Sequence, residues 1–81
     1  MNERKIEFEL IKKIIETNIK NASCGLYDTR NTVGDTMETL YTGKYYQLDI
    51  CYDYGYFEIF GITSSEEYNE LQEFYKKLGG E

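Results

Sequence analysis

The chain has 81 residues, a formal net charge of -6, no histidine, no tryptophan, no proline and two cysteines. This length makes one domain, residues 1–81, with a small core and modest stability. The lack of histidine removes the commonest general base and metal ligand, and no run approaches the roughly 18 apolar residues of a membrane span.

The charge is uneven. Residues 21–75 carry two basic and ten acidic side chains, whereas residues 1–20 carry five basic and four acidic. An acidic middle argues against direct nucleic-acid binding, which draws its affinity from clustered Lys and Arg. It favours a protein partner with a basic surface. The N-terminal stretch is charged and has no apolar signal segment, so the reading expects no membrane and a cytoplasmic location. Cys24 and Cys51 match no metal or redox spacing, and reduced thiols fit that compartment.

From Glu3 to Lys20 the apolar residues Ile6, Leu10, Ile11, Ile14, Ile15 and Ile19 recur at three- and four-residue steps, which predicts an amphipathic helix. Phe8 falls off this stripe, either at the core edge or at a partner surface. Glu9 with Lys13 and Glu16 with Lys20 form i,i+4 pairs in the favourable order. The segment from Asn21 to Asp35 is irregular and punctuated by Gly25 and Gly34. A short strand around Cys24 to Tyr27 would add an edge strand there. Arg30, the only cation of that segment, either pairs with Asp28, Asp35 or the acidic sheet face, or reaches a partner.

Residues 37–62, METLYTGKYYQLDICYDYGYFEIFGI, predict a three-stranded antiparallel meander. Gly43 suits a two-residue turn that needs positive φ. That turn sets Tyr41 opposite Tyr46 and Thr39 opposite Leu48. An even loop around Tyr54-Gly55 sets Ile50 opposite Ile59. One face then carries Met37, Thr39, Tyr41, Tyr46, Leu48, Ile50, Tyr52, Phe57 and Ile59 and forms the core. The other carries Glu38, Leu40, Tyr45, Gln47, Asp49, Cys51, Asp53, Tyr56, Glu58 and Phe60, with Glu38 across from Asp49. Facing carboxylates cost about a few tenths to 1 kcal/mol, so their presence motivates a binding role.

Thr63-Ser64-Ser65-Glu66 reads as a capping box that starts a helix over 64–78, ended by Gly79 and Gly80. The fold class expected is α+β. Two helices lie side by side on one face of the meander in the order α-β-β-β-α, and the short strand is a fourth element if it forms.

The sequence contains no nucleophile–base pair, glycine-rich phosphate loop or cysteine-rich metal spacing. Glu38, Asp49 and Glu58 are oxygen donors of the kind a hard cation takes, but flat sheet positions rarely converge on one ion. The expectation is therefore no enzyme, no cofactor and no metal.

Over Thr29-Arg30-Asn31-Thr32-Val33-Gly34-Asp35 and Asp49 to Ile62, the sequence resembles small proteins of phages and prophages of Gram-positive bacteria. The resemblance implies a phage context, in which short, acidic, tyrosine-rich proteins often look like inhibitors of host defence or of host nucleic-acid enzymes. Anti-CRISPR proteins that occupy a nuclease's DNA-binding groove are the nearest comparison. The functional expectation is a binding protein that offers carboxylates in place of DNA phosphates to a basic cleft of a host protein. Glu38, Asp49, Asp53, Glu58, Tyr45, Tyr56, Phe60 and Arg30 are its candidate contacts. The alternative is a homodimer or higher homo-oligomer closed through the second sheet face.

Overall fold

Both helices begin on side-chain caps. The computed structural model describes residues 2–22, 25–28 and 37–80. Within it, α1 (Glu3–Asn18) starts at Asn2, whose side chain accepts from the Lys5 amide at 3.2 Å. The Asn18 side chain donates to the Ile14 carbonyl at 2.8 Å, and a short 3-10 turn, Ile19–Asn21, follows. Then come β1 (Gly25–Asp28), β2 (Glu38–Thr42), β3 (Gln47–Cys51), β4 (Tyr56–Phe60) and α2 (Ser65–Tyr75), which runs into a wider turn, Lys76–Gly80. Arg30, Cys24 and the rest of residues 29–36 lie outside the described residues.

The four strands form one mixed sheet in the order β1-β4-β3-β2. The meander is present as β2, β3 and β4, and the short strand forms as well, parallel to β4 with Leu26 beside Phe57 and Tyr27 beside Glu58. Among the described residues the element order is thus α-β-β-β-β-α, with four strands rather than three. Both helices pack on one face. Phe8, Ile11 and Ile15 of α1, Leu71 and Tyr75 of α2, and Leu26, Tyr46, Leu48, Ile50, Phe57 and Ile59 from the sheet side make the core.

The registers differ from expectation by two residues, except at the start of β2, where the difference is one. β3 and β4 are joined by a four-residue turn, 52–55, with Gly55 at φ 72°, and Ile50 faces Phe57 rather than Ile59. A two-residue slip leaves side-chain parity untouched, so Leu48, Ile50, Phe57 and Ile59 stay in the core, whereas Tyr52, expected there, sits in the turn and is 48% exposed. β2 and β3 likewise pair Tyr41 with Leu48 across a turn closed by the Gly43 amide on the Tyr46 carbonyl, 2.9 Å. The register then shifts between Thr39 and Tyr41, so that Thr39 faces Asp49 and Glu38 faces Ile50. This β-bulge has a packing reason, because it lets the consecutive residues Leu40 and Tyr41 both pack against the core.

α1 buries a narrower stripe than its isoleucines suggest. Phe8, Ile11 and Ile15 are buried, with Phe8 against the Tyr46 ring at 5.6 Å, while Ile6 and Leu10 are 52% and 41% exposed. Six apolar positions span too wide an arc for one face, and Phe8 fills the place on the core side. The α2 cap sits one residue later than expected. Ser64 Oγ accepts from the Glu67 amide at 3.2 Å, and Glu67 Oε1 accepts from the Thr63 amide at 3.1 Å. α2 also holds the edge strand, since Tyr68 Oη and Gln72 Nε2 both donate to the Leu26 carbonyl, at 3.0 and 3.3 Å.

Candidate partner-binding surface

Two carboxylates on the helix side fasten the β2–β3 hairpin and the start of α2. Glu7 is buried, and its oxygens accept from Tyr41 Oη, the Lys44 amide and the Tyr45 amide, each at 2.7 Å. Burial by itself would raise its pKa, but these bonds outweigh that and hold the carboxyl below its ordinary value. Gly43 is required by this grip: a Cβ there would run into the Glu7 carboxylate, and Gly43 is not among the glycines with positive φ. The need is for space, not for a left-handed backbone.

Glu67 makes the second fastening. Arg4 approaches it with Nε and a terminal nitrogen, both at 3.1 Å, and Tyr46 Oη donates to it at 2.6 Å. Arg4 also lies 4.6 Å from the Tyr46 ring centre and donates to the Gly61 carbonyl at 2.7 Å. Burial opposes ionisation of Glu67, yet Arg4, Tyr46 and the Thr63 amide pull its pKa below the ordinary value. Burial and then the bond to Glu67 push the Tyr46 hydroxyl well above the usual tyrosine range.

The opposite face of the sheet carries Gln47, Asp49 and Cys51 of β3, Tyr56, Glu58 and Phe60 of β4, and Tyr27 of β1. Asp49 stands directly across from Glu58. This face is closed in the middle and open at its rim. Asp49 is 6% exposed, Glu58 2% and Cys51 1%, so the expectation of carboxylates presented to solvent is corrected. Gln47 Nε2 donates to both Asp49 oxygens, at 3.2 and 3.4 Å. Cys51 is a free, buried thiol.

At one end of this face, three tyrosines gather. The Tyr27 and Tyr56 ring centres are 4.4 Å apart, and Tyr54 stacks beside Tyr56 at 6.4 Å. Tyr27 is 50% and Tyr54 63% exposed. Burial first, and then the neighbouring Cys51 and Glu58, raise the Tyr56 pKa. Asp53 is exposed in the turn that carries Tyr54.

The remaining expected contacts are dispersed. The bulge turns Glu38 away from Asp49 to the other side of the sheet, where it bonds to the Tyr52 hydroxyl and raises that group's pKa. Tyr45 belongs to the hairpin turn beside α1, half-buried under Arg4 and Lys44, and does not share a face with Asp49. Phe60 is 40% exposed at the far end of β4, opposite Gln47. Asp49, Glu58 and Tyr56 therefore stay together, with Asp53 at their edge, while Glu38 and Tyr45 leave the group. Tyr27 and Tyr54 are exposed aromatic residues of this face that sequence reasoning passed over. The signal was present, because Leu26 on the core face obliges Tyr27 to point the other way.

Among the described residues, no group of three or more His, Cys, Asp or Glu side chains is placed to hold a metal ion, and no helix is long and apolar enough to cross a membrane. No family model matches the sequence, and neither a curated protein nor a solved structure matches the chain.

Proposed function

We propose that this chain is a non-enzymatic binding protein of the phage-inhibitor kind, which docks on a basic, nucleic-acid-binding surface of a host protein such as a CRISPR nuclease. The observation that carries the reading is the exposed cluster of Tyr27, Tyr54 and Tyr56 on the same sheet face as the facing carboxyl groups of Asp49 and Glu58. Large amphipathic rings that lose little conformational freedom are the usual anchors of protein interfaces. Three of them in contact and partly exposed on a chain of net charge -6 suit a cationic partner.

In this reading the tyrosines make the contacts, with Asp53 and Phe60 at the rim. Asp49 and Glu58 act from beneath as part of the acidic field rather than as direct ligands. Capture of partners from a bacterial host lysate, followed by affinity measurement on the isolated partner, tests it. Tyr27→Ala combined with Tyr54→Ala should weaken binding by about tenfold or more, as loss of anchor residues does. Asp53→Lys should slow association and flatten its dependence on salt. Full affinity in the double tyrosine variant would refute the proposal.

A further inference from the structure

A second surface lies on α1, away from the tyrosine cluster. Ile6 and Leu10 are exposed and border a shallow apolar groove with Tyr41 and Tyr45, flanked by Glu3 and Lys44. We infer that this face of α1 pairs with the same face of a second copy of the chain, antiparallel, about a two-fold axis level with Phe8.

The argument is one of register and charge. Glu3, Ile6, Leu10 and Lys13 follow alternating three- and four-residue steps, the spacing of a helix-pairing seam. An axis at position 8 sets Ile6 against Leu10 of the second copy, and Glu3 against its Lys13. Each charge lies five residues from that axis, about 7.5 Å along the helix, so one rotation creates both ion pairs. A parallel arrangement would instead set Glu3 against Glu3 and Lys13 against Lys13.

Both charged groups are available. Lys13 is exposed and makes no ion pair among the described residues, because Lys12 is the lysine that joins Glu9, at 3.6 Å, and Glu70, at 2.7 Å. Glu3 holds Lys44 at 3.4 Å, with both side chains mostly in water, and accepts from the Tyr45 hydroxyl at 3.5 Å, and such exposed pairs are weak competitors. The inference does not depend on the proposed host target, because the tyrosines proposed to contact it lie on the far face of the sheet.

Sedimentation of the full chain from about 1 μM to about 1 mM covers the affinities at issue. A concentration-dependent monomer–dimer equilibrium is expected, and Ile6→Glu should weaken it while far-UV circular dichroism stays unchanged. Glu3→Lys and Lys13→Glu should each weaken self-association by about tenfold, since both symmetric pairs become like-charged. Mixed in equal amounts, those two variants should recover the wild-type affinity as a heterodimer in which every cross pair is again opposite in sign. A wild-type chain that stays monomeric throughout, or a mixture no tighter than its components, would overturn the inference.

Discussion

The carboxylates on the two sides of the sheet live in different company. On the helix side, Glu7 collects a tyrosine hydroxyl and two backbone amides, and Glu67 collects an arginine, a tyrosine hydroxyl and a backbone amide. On the other side, Asp49 receives the Gln47 amide and has a second carboxyl group, Glu58, as its cross-strand neighbour. The first arrangement favours the charged form and binds distant parts of the chain together. The second brings two buried carboxyl groups face to face across neighbouring strands. Carboxylates of the first kind tie distant parts of the chain together, and those of the second kind are grouped within one face of the sheet.

The contrast breaks most severely at Glu7. Glu7→Ala strands the Lys44 and Tyr45 amides and the Tyr41 hydroxyl, and should lower the melting temperature by about 10 °C. Gly43→Ala should do similar damage by displacing the same carboxylate. The two should be strongly non-additive, the Gly43 change costing much less once Glu7 is already Ala. Full additivity in calorimetry would show that the Gly43 contact is unimportant.

Acid should produce the next effect. The folded pKa values of Glu7 and Glu67 lie below the ordinary 4.5. Their stabilisation is therefore complete above that value and is lost as pH falls through the depressed folded values. Melting temperatures taken from about pH 6 to about pH 3 should fall in the wild type, and fall less steeply in a Glu7→Gln, Glu67→Gln variant. Equal slopes would mean that other groups govern acid unfolding.

The smallest effect belongs to the tyrosine cluster. Tyr27→Ala and Tyr54→Ala remove half-exposed rings, and each should change stability by about 0.5 kcal/mol, or about 3 °C. A much larger loss would make these rings part of the packing and weaken the case for a contact surface.

Much of this architecture could be read from the residues. The helices, the meander and the core set of Leu48, Ile50, Phe57 and Ile59 all follow from periodicity, which is indifferent to a slip of two residues. The bulge at Leu40 was hidden because alternation assumes constant parity, and it is what moved Glu38 off the acidic face. Gly43 carried a correct turn signal with the wrong cause, since the neighbour that excludes a side chain there is Glu7, far away in sequence. Solvent exposure of Asp49 and Glu58 was inferred from their polarity, yet a strand position reports a face and not what covers it. Ile6 and Leu10 share the helical spacing of Ile11 and Ile15 yet are exposed, for the complementary reason that an apolar residue on a helix need not be buried.

Thermal unfolding of two single variants, Glu7→Gln and Asp49→Asn, at neutral pH tests the central contrast most directly. Glu7→Gln should melt well below the wild type, whereas Asp49→Asn, which keeps an amide oxygen for the Gln47 side chain to donate to, should melt within about 0.5 kcal/mol of it. If Asp49→Asn lost as much stability as Glu7→Gln, Asp49 would be a fastening carboxylate like the others, and the distinction between the two sides of the sheet would fail.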